Sequence, residues 1–293
     1  ETGFEEGQTL WPQQADWDFL NEIKATDGIT SYLTRMRCMV TSEENAVFSE
    51  AAIRGGYSKE LKEHFPGCLD SGRSFSERDP ALVVVGGADP ASGSGTSEAA
   101  EFAHVVLGAP RGRKDERLWL IDLFSGKIPM ITGAERSGEC ADKKSQVGTI
   151  IYRHRKYTAK TTFVERNSQQ QAWIDACRAV APSVSVRGHH TGRNKVDPEV
   201  GVESMAGLIE AGLLRIPYKT PADKRLADRL IEQLVRWPDY SASDLVMALW
   251  FCVYNLGNRR HRITYSRLKD YRALARPLAP APSEDEEDGR AVA

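Results

Sequence analysis

Three acidic residues, far apart in the sequence, stand at positions from which one fold can bring them together. Asp89 follows the apolar run ALVVVGGA, Glu165 ends TTFVE, and Asp244 opens SDLVMALWF. Strand ends and helix starts are where a sheet-based fold presents side chains to a crevice. Clustered carboxylates repel one another unless cations neutralise them, and oxygen ligands favour Mg²⁺ or Mn²⁺. The pattern therefore favours a site for divalent cations, which in pairs promote phosphodiester hydrolysis.

Each of the three acids also has an ordinary structural interpretation. Asp89 is followed by proline, a common turn sequence, and Glu165 is followed by arginine, which allows a surface ion pair. Asp244 lies three residues after Ser241, the spacing of a helix capping box. The spacing alone leaves the metal site and the structural interpretation both open.

The glycines near Asp89 do not form a phosphate-binding loop. A Walker A loop needs Ser or Thr after Gly-Lys, and Ile128 follows the one Gly-Lys pair. A dinucleotide fingerprint needs a third glycine where Glu98 stands. We expect Gly93 and Gly95 to belong to a flexible hairpin that leaves space for a bulky ligand beside Asp89.

The apolar patterning predicts an α/β fold, with a mixed sheet of five or more strands and helices on its faces. The predicted strands are 81–87, 101–107, 117–124, 160–165 and 184–186. The predicted helices of this region are 137–157, 168–181, 199–212, 221–236 and 243–256. Two shorter helices are expected near 10–23 and 41–53, and the Gly-, Ser- and Pro-rich stretch 66–80 is interpreted as a linker.

Composition excludes several classes of protein. The 293 residues are 41% hydrophobic with a net charge of −2, which neither demands nor excludes nucleic acid as a partner. No apolar run is long enough for a membrane span, so no membrane association is expected. The five cysteines form no CxxC pair, which indicates reduced thiols rather than a zinc site or disulfides. Residues 277–293 are acidic and are predicted to be disordered.

The motifs VVVGGADPA, TTFVERNSQQQAW and SDLVMALWF, in this order, resemble the nuclease domain of large terminase subunits. These proteins package DNA into tailed-bacteriophage and herpesvirus capsids, and the domain belongs to the RNase H-like (retroviral integrase-like) superfamily. A T-x-x-N-K run with Thr191, Asn194 and Lys195 also resembles the segment between the second and third acids of the family. Ser243 is a departure, because many members carry a second acid there.

The resemblance implies a metal-dependent endonuclease that cleaves double-stranded concatemeric viral DNA. Asp89 would bridge two Mg²⁺ or Mn²⁺ ions, Glu165 would hold one and orient the attacking water, and Asp244 would hold the other. Lys195 would contact a phosphate or stabilise the transition state, and His189 is a possible auxiliary group. The residues expected to contact DNA are Lys195, Arg193, His190, Arg153, Arg155 and Lys156, together with the basic segment 259–272.

The resemblance also implies an organisation and a set of partners. Residues 1–75 would be a helical extension after an ATPase domain of the same polypeptide that is absent from this sequence. Residues 76–276 would be the nuclease domain, and 277–293 the acidic tail. The implied partners are the portal protein and the small terminase subunit, in the host cell cytoplasm. Two alternatives stay open: an RNase H-like resolvase or transposase, and a non-catalytic packaging adaptor.

Overall fold

The structure, a computed structural model, describes residues 18–21, 47–59, 63–77, 79–91, 101–111, 115–132, 144–166, 171–197, 200–238 and 243–257. The strands are β1 (Gly56–Ser58), β2 (Glu63–Phe65), β3 (Leu69–Asp70), β4 (Leu82–Asp89), β5 (Phe102–Pro110), β6 (Leu118–Gly126), β7 (Thr162–Glu165), β8 (Val186–His189) and β9 (Leu214–Pro217). The helices are α1 (Glu50–Arg54), α2 (Gln146–Lys156), α3 (Gln171–Val180), α4 (Met205–Glu210), α5 (Pro221–Val235) and α6 (Asp244–Gly257).

Seven of the strands form one mixed sheet in the order β3-β9-β6-β5-β4-β7-β8. Strand β5 is antiparallel to both neighbours, and the other adjacent pairs are parallel, so β5 runs opposite to the other six strands. The last residues of β4, β7 and β8 therefore lie at one edge, together with the residue that precedes β5. We call this the carboxyl edge, defined by Asp89, Glu165, His189 and Glu101.

Helices cover both faces of the sheet. On one face, Val85 and Phe163 belong to a core that includes residues of α4, α5 and α6. On the other face, Ala88 and Val164 pack with apolar residues of α2 and α3. Alternation along each strand sends neighbouring residues to opposite faces, which explains why both cores draw on the same strands. The predicted α/β fold class, a mixed sheet of five or more strands with helices on both faces, is confirmed, with seven strands in the sheet.

The predicted elements are found, although the helix predicted at 137–157 begins at Gln146 and residues 137–143 lie outside the described part of the chain. The five predicted strands correspond to β4, β5, β6, β7 and β8, and the predicted helices at 137–157, 168–181, 221–236 and 243–256 correspond to α2, α3, α5 and α6. The helix expected at 199–212 is shorter: the 3-10 turn Val202–Ser204 leads into α4. Residues 214–217 then form β9, which the apolar patterning did not predict.

The stretch 66–80 is not a simple linker. Cys68 is fully buried, and β3 pairs in parallel with β9, with Leu69 opposite Ile216. Phe48 and Phe65 lie in the same core as α5 and α6. Packing is therefore continuous across the predicted boundary at residue 75.

Several predicted segments fall wholly or partly outside the described residues. Residues 18–21 of the first expected helix are helical, and α1 covers the end of the second. The hairpin glycines at 93 and 95, the basic segment 259–272 and the tail 277–293 are not among the described residues. None of the described helices has the length and apolar character needed to cross a membrane.

Candidate active site

Asp89 and Glu165 are brought together by the pairing of β4 with β7. The register places Gly87 opposite Phe163 and Ala88 opposite Val164, so the next step along both strands sets Asp89 beside Glu165. Because parallel neighbours lie about 4.8 Å apart and share a face at each register position, the two carboxyl groups point to the same side. That side is the one covered by α6.

Asp244 reaches the same place from the other direction, because it is the first residue of α6. Its Oδ2 accepts a hydrogen bond of 3.0 Å from the backbone N–H of Glu101, which precedes β5. The N–H of Leu245 is satisfied at 2.8 Å by Oε1 of Gln233. The Asp244 carboxylate is thus turned towards the sheet, while Gln233 satisfies a donor in the first turn of α6.

The glycines before Asp89 serve helix packing rather than ligand access. A Cβ atom at Gly87 would lie 2.1 Å from the carbonyl oxygen of Ala248 and 2.9 Å from Sγ of Cys252. Any side chain at position 87 would force α6 away from β4. At Gly87 the backbone of α6 fills the space beside the strand, whereas Gly93 and Gly95, which were expected to leave room for a ligand, lie outside the described residues.

The three carboxylates interact electrostatically. Loss of solvation, and then the charges of Glu165 and Asp244, raise the pKa of Asp89 well above its usual range, and a hydrogen bond with Glu165 adds to the effect. Loss of solvation also raises the pKa of Asp244, with a contribution from Glu165. Lys195 opposes the rise at Asp89, so its ammonium group faces this cluster.

The carboxylate oxygens of Asp89, Glu165 and Asp244 are suitable ligands for a hard cation, but the three side chains do not surround a common point. Within the described ranges, no three His, Cys, Asp or Glu side chains are close enough to surround a single ion. Asp89 and Glu165 form a contacting pair, and Asp244 lies within electrostatic range of both. Carboxylate oxygens that repel one another are the ligands that Mg²⁺ and Mn²⁺ favour. By their chemistry, rather than by their spacing, these three residues therefore suit divalent cations.

Lys195 lies in the 3-10 turn Arg193–Val196, directly after β8. Loss of solvation lowers the pKa of Lys195, and the charges of Asp89 and Glu165 oppose that fall. Its Nζ also lies 5.3 Å from the ring centroid of Trp237, which suits a cation–π contact. The turn therefore holds one positive charge beside the carboxylates.

His189 is enclosed rather than presented to a ligand. Its ring lies 4.8–4.9 Å, between centroids, from the rings of Trp250, Phe251 and Tyr254. Burial lowers the pKa of His189 to about 4, so the ring is neutral at physiological pH. The side-chain amides of Asn194 and Asn255 approach its two ring nitrogens at 3.3 and 3.1 Å. His189 thus ties the turn that carries Lys195 to α6.

The other predicted DNA contacts are divided between the two ends of the sheet. His190 and Arg193 are exposed beside Lys195. Arg155 and Lys156 are exposed at the end of α2. The chain after α2 returns to the start of β4, where the N–H of Lys160 donates to the carbonyl of Val84 at 2.8 Å. Asp89 lies five residue steps along β4 from Val84, a distance of about 17 Å.

Arg153 does not lie where a DNA contact would be. Its side chain is buried, forms an ion pair of 3.4 Å with Asp122, and donates to the carbonyl of Leu123 at 3.2 Å. The expectation that Arg153 contacts DNA is therefore corrected. Helical position explains the difference, because Arg153 lies on the side of α2 that faces the sheet, whereas Arg155 and Lys156 face outward.

Two residues of the site were missed at the level of sequence. Glu101 lies beside Asp244, and its carboxylate accepts hydrogen bonds from Arg229 and from the hydroxyl of Ser125, the latter at 2.5 Å. An acid at the start of the predicted strand 101–107 was a usable signal for Glu101, once β5 was known to start at the carboxyl edge. Nothing local distinguishes Arg229 from the other basic residues of α5.

No family model matches the sequence, and no curated protein matches it. Among solved structures, the chain is similar to the large terminase nuclease of thermophilic phage G20c with bound zinc, at 14% identity over 63% of this chain and 91% of that chain, with a TM-score of 0.41. It is also similar to the large terminase nuclease domain of bacteriophage SPP1 with bound manganese, at 14% identity over 64% and 96%, with a TM-score of 0.40. RuvC of Thermus thermophilus matches at 19% identity over 60% and 97%, with a TM-score of 0.29.

Proposed function

We propose that this protein is a divalent-metal-dependent endonuclease that cleaves double-stranded DNA during viral genome packaging, as the nuclease of a large terminase subunit. The observation that carries the proposal is the position of Asp89, Glu165 and Asp244 at the carboxyl edge, where loss of solvation, and then the charges of the other two carboxylates, raise the pKa of Asp89. A fold has no structural reason to gather repelling carboxylates that raise one another's pKa, whereas a cation site requires them.

In the proposed site, Asp89 would be the shared ligand, which is the role that the family resemblance implies for it. Glu165 holds one ion with Asp89 and orients the attacking water, and Asp244 holds the second ion. Bound Mg²⁺ or Mn²⁺ would lower the pKa of a water molecule and stabilise the leaving oxygen of the phosphodiester. The family resemblance in the sequence supports this division of roles.

Lys195 is the proposed contact to the phosphate that is cut. Its charge faces Asp89 and Glu165, and the contact with Trp237 restrains the side chain. A fixed cation beside the carboxylates stabilises the charge that develops on a pentavalent phosphate. Arg193 and His190, exposed on the same turn, would bind the DNA backbone and make binding dependent on salt.

The packaging role is part of the proposal. It places the protein in the host cell cytoplasm, with the portal protein, the small terminase subunit and an ATPase domain of the same polypeptide as partners. Cleavage would then fall at the start and at the end of packaging, and substrate would be duplex DNA without a junction. Substrate preference therefore separates this proposal from a junction resolvase.

The deciding experiment is cleavage of a supercoiled plasmid by the purified chain with Mn²⁺, Mg²⁺ or EDTA. We expect nicked and linear products with either metal, none with EDTA, and loss of cleavage by at least about 100-fold in Asp89→Ala and Asp244→Ala. Asp175→Ala, which changes an exposed acid of α3, is the matched control and is expected to cut like the wild type.

Three results would overturn the proposal. Equal, metal-independent cleavage by wild type and variants would mean that the three acids are not the active site, and an intact plasmid in every lane would favour a non-catalytic adaptor. Faster cleavage of a four-way junction than of a matched linear duplex would instead assign the protein to the resolvases.

A further inference from the structure

Helix α5 contacts both segments that hold the Asp244 carboxylate in place. Arg229 and Gln233 are four residues apart on α5, so their side chains leave the same side of the helix one turn apart. Arg229 contacts the segment that leads into β5, and Gln233 contacts the first turn of α6. Asp244 belongs to the second segment, and its carboxylate accepts a hydrogen bond from the first.

The first contact runs through Glu101. Arg229 forms an ion pair with the Glu101 carboxylate, and its second guanidinium nitrogen donates to the carbonyl of Ser125 at 3.2 Å. The hydroxyl of Ser125 donates to the same Glu101 carboxylate at 2.5 Å. The backbone N–H of Glu101 in turn donates to Oδ2 of Asp244 at 3.0 Å. Arg229 holds the side chain of Glu101, and this contact also fixes the position of the Glu101 N–H that binds Asp244.

The second contact fixes the helix that carries Asp244. Oε1 of Gln233 accepts the N–H of Leu245 at 2.8 Å, and the Gln233 side chain is buried. The first N–H groups of a helix have no partner within the helix, so a buried side-chain acceptor here sets where the helix begins. The residue next to Leu245 is Asp244, which therefore has little freedom to move away from the sheet.

We propose that Arg229 and Gln233 are positioning residues, which together set the distance from the Asp244 carboxylate to the pair formed by Asp89 and Glu165. This inference rests on the proposed function, because it concerns the geometry that a bound cation needs. Neither side chain is assigned a contact with metal or DNA. Groups that orient metal ligands typically change metal affinity about 10- to 100-fold when removed.

The test is the binding of Mn²⁺ alone, measured by calorimetry or by electron paramagnetic resonance without DNA. We expect Arg229→Met and Gln233→Leu each to weaken Mn²⁺ binding by about 10-fold. Gln233→Glu keeps an oxygen acceptor for the Leu245 N–H and is expected to bind nearly as the wild type does. Arg225→Met, one turn earlier on α5, is the matched control. In cleavage, the Mn²⁺ concentration for half-maximal rate should rise by the same factor, while kcat at saturating Mn²⁺ falls less.

The outcomes separate this inference from the proposed function. Wild-type Mn²⁺ affinity in both Arg229→Met and Gln233→Leu overturns the positioning role and leaves the nuclease proposal intact. Absence of Mn²⁺ binding by the wild type overturns both. If Gln233→Leu does not fold, Arg229→Met decides alone, because that side chain lies on the surface. Equal weakening by Gln233→Glu and Gln233→Leu would contradict the role of the Leu245 hydrogen bond.

Discussion

Asp89 and Glu165 end two adjacent parallel strands, and their carboxyl groups share a hydrogen bond. Two carboxylates can share such a bond only if one of them is protonated. The pKa of Asp89 is accordingly raised, first by loss of solvation and then by the charge of Glu165. A proton or a bound cation would relieve the repulsion between the two residues.

Neutralising Asp89 should stabilise the protein when no metal is present. For an acid whose pKa is raised on folding, the folded state binds more protons than the unfolded state, so stability falls as pH rises towards the folded pKa. Asp89→Asn removes that loss. We expect its melting temperature in EDTA at about pH 8 to exceed that of the wild type by a few degrees, and the difference to shrink as the pH falls towards 4.

Two comparisons control this measurement. Asp175→Asn alters an exposed carboxylate and should melt like the wild type at both pH values. Adding Mn²⁺ should raise the melting temperature of the wild type but not that of Asp89→Asn. A variant that melts below the wild type in EDTA at both pH values would show that Asp89 makes stabilising contacts that outweigh the repulsion.

The acids could be found from sequence because local pattern fixes where strands end. Asp89 and Glu165 each close a short apolar run, and the pairing that joins them needs only that both runs be parallel neighbours. By contrast, β3 has two residues in a stretch rich in Gly, Ser and Pro, and its partner Ile216 lies far away in the sequence. No local pattern predicts a strand whose only support is a distant partner.

The sequence alone also does not show which charged residues are buried and which are exposed. Arg153 and Lys156 occur in one basic run, yet the first is buried against Asp122 and the second is exposed. Glu101 belongs to the site because β5 runs opposite to its neighbours, which is a property of the whole sheet. Gly87 is needed because the backbone of α6 packs directly against β4 at this position, and this contact cannot be predicted from the local sequence.

Gly87→Ala should disturb both stability and the placement of Asp244. The new Cβ would lie 2.1 Å from the carbonyl oxygen of Ala248, a backbone atom that cannot rotate away, so α6 has to move. We expect a loss of about 1–3 kcal/mol in the free energy of unfolding, measured by urea denaturation. Cleavage at saturating Mn²⁺ should fall as well, because α6 carries Asp244.

Gly72→Ala is the control for this substitution, since Gly72 is exposed and the nearest atom to its added Cβ, a side-chain oxygen of Asp70, lies 3.2 Å away. It should change neither stability nor cleavage. If Gly87→Ala proves as stable and as active as Gly72→Ala, the contact between β4 and α6 does not constrain the site.

His104 should make the protein sensitive to acid. It is buried on β5, and within the described part of the chain its two ring nitrogens have no hydrogen-bond partner. Burial lowers its pKa well below the usual range, so the unfolded state binds the extra proton and stability falls as pH drops below about 6.5. His104→Leu should reduce the slope of the free energy of unfolding against pH by up to about 1.4 kcal/mol per pH unit. The slope is measured by urea denaturation between about pH 5 and pH 7.5.

The matched control for His104→Leu is His64→Leu, which changes an exposed histidine of β2. This control should keep the pH dependence of the wild type. At pH 7.5, His104→Leu is expected to be at least as stable as the wild type, because an unsatisfied polar ring is removed from the core. An unchanged slope in His104→Leu would mean that other groups cause the loss of stability in acid.

Two lysines test which end of the sheet meets the cleaved strand. Lys195 faces Asp89 and Glu165, whereas Lys156 is exposed at the end of α2, near the start of β4. We expect Lys195→Ala to lower the plasmid cleavage rate at saturating Mn²⁺ by about 10-fold or more, because a fixed charge beside the reacting phosphate is lost. Lys156→Ala should leave that rate unchanged, with at most a small loss of DNA affinity measured by fluorescence anisotropy at low salt. The reverse order of effects would place the reacting DNA at the end of α2 and remove Lys195 from the site.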